Sequence, residues 1–183
     1  MDDPRQDLIR VLRRAKTADM PKLQAAIPGR SRRSLFRDLG RVGYRTSFTH
    51  AGRYYTLPDV PDFDHLGLWF YEDVGFSTAG TLKETVAFHV DHTGDGWTHR
   101  ELAHVLRVRV HNTVLDLVRE GRIGREPFAG THLYVSADAR RAAEQLAGRR
   151  DVAQMTADAF RVLSAEETID VLVEALRAAP AVP

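Results

Sequence analysis

The 183-residue chain contains no cysteine. Disulfides, thiolate metal sites and a cysteine nucleophile are therefore excluded, and a reducing compartment fits. No apolar run approaches the ~20 residues of a membrane span. The N-terminus, MDDPRQDLIRVLRR, is too charged for a signal peptide. These absences point to a cytoplasmic protein without membrane contact. The sequence also lacks HExxH, G-x-S-x-G and a phosphate loop. His89 and His92 stand at a workable i, i+3 ligand spacing. With no Asp or Glu placed as a base, they read, like His99 and His104, as ordinary helix-surface histidines. The expectation is a protein that is not an enzyme, with no metal and no cofactor.

What is present is globular and unevenly charged. Apolar residues make up 43% and charged residues 28%, which excludes wholesale disorder. The net charge is only +1, yet residues 1–57 hold 13 Lys/Arg against 5 Asp/Glu. Residues 58–80 hold 5 acidic groups and no basic one, residues 81–136 balance at 7 and 7, and residues 137–183 hold 6 against 8. A basic segment beside an acidic one makes a field with direction. Phosphate backbones respond to that more than to whole-chain charge.

An internal repeat organises the chain. Asp38 to Gly52 lies over Asp116 to Gly130 at a constant offset of 78, matching Asp38/Asp116, Leu39/Leu117, Arg41/Arg119, Gly43/Gly121, Ala51/Ala129 and Gly52/Gly130. Leu8, Ile9 and Leu12 fall over Val86, Ala87 and Val90, while Leu23 and Ile27 reach Leu102 and Leu106 with one residue's slip. In the second copy, Thr81–Glu84 and Thr98–Glu101 are capping boxes that open two helices. A third helix over about Arg109–Glu120 buries Val110, Val114, Leu117 and Val118. Gly121 ends it, and strands at 123–127 and 132–136 follow around Ala129-Gly130. The first copy predicts helices over 5–14, from Asp19-Met-Pro21, and over 31–42, then strands at 44–48 and 53–57.

Helix, helix, tight turn, helix and hairpin resembles the winged helix–turn–helix family over residues 5–57 and 81–136. The implied class is α+β, mainly α with short hairpin wings: a first unit at 1–58, an acidic aromatic connector hairpin at 59–80, a second unit at 81–137 and C-terminal helices at 138–183. The resemblance implies that each third helix enters the major groove of double-stranded DNA. In the first unit, Arg32, Arg33, Ser34 and Arg37 are placed outward, Ser31 is the N-cap, and Arg30 sits where a strand backbone would pass. The wing tip adds His50 and Arg53, which the resemblance directs to the minor groove or flanking phosphates, and one of Tyr54 and Tyr55 is left to meet backbone. The second unit offers Arg109, His111, Asn112 and Arg119, with Arg125 and His132 on its wing. Asp116 and Glu120 on the same helix make it either a weaker DNA reader or a surface for a protein partner.

In the connector, Leu68–Tyr71 and Val74–Ser77 read as a hairpin whose aromatics join the units. Ala139–Gly148 reads as a helix, and Ser164–Glu167 as a capping box opening another with Ile169, Leu172, Val173 and Leu176 on one face. That face suits a homodimer. The chain is also similar, over about residues 30–140, to small bacterial proteins with the same GLW…GTL connector associated with mobile-element or transposase genes, which raises the prospect of a DNA-binding front of something longer. Some tandem winged-helix proteins, including subunits associated with chromosome-condensing ATPases, grip proteins instead of DNA, so a protein-interaction module is the rival to a nucleoid-associated transcriptional regulator or accessory factor.

Overall fold

Helix starts are set by side chains that satisfy orphan amides, and the computed structural model, which describes residues 4–178, shows this at each unit. Helix α1 (Pro4–Ala15) leads to strand β1 (Ala18–Asp19), and the Asp19 carboxylate accepts from the Lys22 amide at 2.9 Å to start α2 (Met20–Ala26). Pro21 sits in the first turn, where its missing N–H costs nothing. Ser31 caps α3 (Arg32–Val42) by accepting from the Ser34 amide at 3.2 Å. Strands β2 (Arg45–Thr46) and β3 (Tyr54–Thr56) follow, and the three strands pair antiparallel in the order β1-β3-β2. Leu8, Leu12, Leu23, Leu35, Leu39 and Tyr55 form the core between them.

The second unit repeats the order. Thr81 caps α4 (Leu82–His92), β6 (Trp97–Thr98) precedes α5 (His99–Leu106), and α6 (His111–Arg119) leads into β7 (Ile123–Phe128) and β8 (Thr131–Ser136). Its sheet order, β6-β8-β7, is that of the first. The Thr98 box is complete, with Glu101 accepting from the Thr98 amide at 2.8 Å. The Thr81 box is only half made: Thr81 caps, but Glu84 is drawn away to Arg122 at 2.7 Å. Gly121 ends α6 as expected, at φ +67°, with the amides of Gly121 and Arg122 closing on the carbonyls of Val118 and Leu117.

Between the units, β4 (Leu68–Tyr71) and β5 (Val74–Ser77) form the connector hairpin. Phe48, from the first unit, is buried in the same cluster as Leu68, Val86, Leu102, Val114 and Leu117. The units therefore share packing and are not beads on a string.

The C-terminal expectation is corrected. One unbroken helix, α7 (Ala139–Ala178), runs through Ser164, so Ser164–Glu167 opens nothing. Its first turns are fastened to the second unit: Gln145, fully buried, accepts from the Ser136 amide and donates to the carbonyls of Val90 and Thr93. The side chains of Leu172, Val173 and Leu176 lie outside the described residues. The mixed α+β class stands, with seven α-helices and small antiparallel sheets among the described residues. None of those helices is long and apolar enough to cross a membrane.

Candidate nucleic-acid interface

The fold turns one face of α3 into a wholly basic surface. Leu35, Leu39 and Asp38 are buried, which places Arg33, Arg37 and Arg41, at successive four-residue steps, on the exposed side. None of the three has an ion-pair partner among the described residues. Asp38 is the helix's only acid, and it is neutralised inside: its carboxylate accepts from Arg30 at 2.6 Å, with the Asp38 side chain 4% exposed. Arg30, which the sequence places where a strand backbone would pass, is thereby engaged with Asp38 inside the fold. Arg41 was missed, although its spacing from Arg37 and Arg33 was a usable signal.

The other candidates of the first unit gather at one end of α3. Ser31 is the N-cap, and its hydroxyl also meets that of Ser34 at 3.1 Å, so both are occupied locally. Arg32 lies over the Phe36 ring at 5.6 Å, and Phe36 meets Tyr55 edge-on. A cleft of about 350 Å³ opens here, lined by Gln24, Arg32, His50, Arg53, Tyr54 and Tyr55. Side chains of the helix start and of the 50–55 turn and strand thus converge on one hollow. Tyr55 is buried and Tyr54 half-buried, edge-on to His50 at 5.3 Å.

The wing itself differs from expectation. Instead of a free tip, residues 47–52 are clamped onto the connector. The Phe48 amide donates to the Gly75 carbonyl, the Gly75 amide donates to the Thr49 hydroxyl at 2.9 Å, and His50 stands 3.3 Å from Asp73. Gly75 is needed there, because a Cβ would lie 2.7 Å from the Phe48 ring. Three successive residues, His50, Ala51 and Gly52, hold positive φ of 53°, 54° and 71°. Such backbone persists only where its surroundings over-determine it. Arg53 remains exposed, its Nε donating to the His50 carbonyl at 3.0 Å.

The second unit presents the opposite arrangement. Its hairpin is long and turns at Ala129-Gly130, both at positive φ, with Arg125 within 3.1 Å of the His132 ring. Arg109, His111 and Asn112 are exposed at the start of α6. Arg119, however, pairs with Asp116 at 3.1 Å, and Lys83 of α4 pairs with Glu120. The charges on this face cancel. A second cleft, of about 520 Å³, separates α6 from the first unit's turn and is lined by Phe48, Ala51, Leu82, Val108, Thr113 and Asp116. Arg107, at φ +52° where α5 ends, lays its guanidinium 4.2 Å over the Phe70 ring and ties the unit to the connector.

The histidines divide. His89 is buried, not on the surface as expected, with its Nε2 unpartnered and its carbonyl accepting from Trp97. Burial pushes its imidazole pKa below the ordinary value. His92 stacks on Phe88 at 4.1 Å. Among the described residues no three His, Cys, Asp or Glu side chains gather to hold a metal ion. The chain matches no known family, no curated protein and no solved structure.

Proposed function

We propose that the chain is a double-stranded DNA-binding protein built from two winged helix–turn–helix units, 1–58 and 81–137, joined by the connector at 59–80 and followed by residues 138–183. The first unit is the principal reader, entering the major groove with α3, with the turn at 50–53 beside it. One observation carries this: the exposed face of α3 holds Arg33, Arg37 and Arg41 without an ion-pair partner among the described residues, while its single acid is buried against Arg30. Arginine suits the role because its planar fork matches guanine edges and phosphates alike. Arg32, Arg53 and Tyr54 meet the DNA at the adjoining cleft. Arg109, His111, Asn112, Arg119 and Arg125 make a weaker second contact. The role is that of a transcriptional regulator or accessory factor in the nucleoid.

A salt titration of binding to mixed-sequence duplex tests the reading. With several phosphates met, log K should fall with log salt at about −0.9 per contact. Affinity that ignores salt, or survives Arg33→Ala with Arg37→Ala, refutes it.

A second reading is a protein-interaction module, favoured by the charge cancellation on α6 through Asp116–Arg119 and Lys83–Glu120. Self-association through α7 belongs to either reading, since Met155 and Ile169 on that helix are exposed. Sedimentation as a monomer at all concentrations would dismiss the homodimer.

A further inference from the structure

A helix interior is a poor place for glycine, which surrenders more backbone freedom there than alanine does. Two glycines of the described residues stand inside α-helices, Gly40 in α3 and Gly148 in α7. Packing explains Gly148: a Cβ there would lie 2.7 Å from the Gly94 carbonyl oxygen. Nothing of the kind explains Gly40. A Cβ on it would meet no atom within 4 Å, and its φ lies outside the left-handed region that favours glycine. The fold therefore gains nothing from the missing side chain.

The surroundings of Gly40 supply a reason. It follows Arg33 by seven residues and Arg37 by three, and it precedes Arg41 directly. At 3.6 residues per turn this puts Gly40 two turns along from Arg33 on one face, with Arg37 and Arg41 beside it. All four residues are exposed, and the three arginines have no ion-pair partner among the described residues. A bare patch of helix backbone with three exposed arginines along one side of it leaves room for a polyanion that comes closer than a methyl group would allow.

We propose that the sugar–phosphate backbone of bound duplex DNA crosses α3 at Gly40, with Arg33, Arg37 and Arg41 gripping the phosphates around the crossing. This rests on the DNA-binding reading and adds to it the point and closeness of approach. Gly40 is a positioning residue: it does no chemistry but sets how deeply the helix seats.

The test sets stability against binding in one variant. Gly40→Ala should melt about 2–4 °C higher than the native chain, because the helix gains while no atom is crowded. The same variant should bind a mixed-sequence duplex of about three turns at least tenfold more weakly, because the methyl group holds the backbone off and loosens the three arginine contacts. A variant that melts higher and binds as tightly as the native chain overturns the inference while leaving the DNA-binding reading standing. A lower melting temperature would show that the fold itself needs the glycine, and would overturn the inference too. If the native chain binds no duplex at all, both fall together.

Discussion

The two units share a plan and differ in whether the acid of the third helix is hidden. Asp38 and Asp116 occupy matching places when the sequences are laid at an offset of 78, yet Asp38 is buried against Arg30 and Asp116 lies outward beside Arg119. The reason is a one-residue slip. The second strand-and-helix pair and the start of the third helix stand 79 residues after their counterparts, as β1 and β6, α2 and α5, and Arg32 and His111 show. The terminating glycines, Gly43 and Gly121, remain 78 apart. One residue is about 100° of helix rotation, enough to swing a side chain from core to surface. Leu117 then takes the buried station that Asp38 holds in the first unit. The core survives this exchange, but the outer face does not: α3 carries four arginines against one buried acid, whereas α6 carries a single arginine paired with an exposed one.

The largest effect should come from uncoupling the units. Phe48 belongs to the first unit by sequence and to the second by packing, at 3% exposure. Phe48→Ala should cost about 3–5 kcal/mol, the usual range for a buried phenylalanine. It should also split one cooperative unfolding transition into two, read by calorimetry. A single transition with a small loss would mean that the units are coupled elsewhere.

Next comes the contrast in binding. Arg33→Glu with Arg37→Glu should weaken duplex affinity about 100-fold and lower the salt slope. Arg109→Glu with Arg119→Glu should cost less than about tenfold, since Arg119 is already paired. Anisotropy titrations at fixed salt compare the two directly. Equal losses would erase the asymmetry between the units.

The two aspartates give a smaller, purely structural contrast. Asp38→Ala strands a guanidinium that is itself 28% exposed, so the cost falls below the 3–5 kcal/mol of a fully buried pair, at about 2 kcal/mol. Asp116→Ala, at a side chain 51% exposed, should change stability by less than about 1 kcal/mol. Urea melts of both variants decide it.

How far the sequence could be read follows from the range of each interaction. The cap at Thr98–Glu101, the glycine stop at Gly121 and the tyrosine alternation of β3 are local, and each was legible. The two-residue strands β1 and β6 carry too little alternation to announce themselves, although they set how each second helix is entered. Long-range partners were invisible. Thr49 reaches Gly75 across 26 residues and Arg30 reaches Asp38 across eight, so neither the docking of the 47–52 turn nor the burial of Asp38 against Arg30 was foreseen. Glu84 shows the same in small, leaving its own helix cap for Arg122 at a separation of 38. The segment after Gly148 is rich in alanine, arginine and other helix formers, and the Ser164 box signals a start only where no helix is already running.

The smallest expected effect is on pH dependence, and it is confined to the second unit. His89 is buried in α4 with no partner at Nε2, whereas the matching position at offset 78 is apolar Val11. Burial, the leading cause, holds the folded imidazole below its ordinary pKa; Asp64 opposes this and His92 adds to it. In the unfolded chain His89 takes up a proton near about pH 6.5. Between that value and the lower folded pKa, the unfolded state binds more protons than the folded one, so stability falls as pH falls. Urea midpoints measured from about pH 7.5 down to about pH 5.5 should therefore decline, and His89→Leu should flatten that decline. An unchanged slope in His89→Leu would move the acid sensitivity to another group and leave the two units alike in this respect.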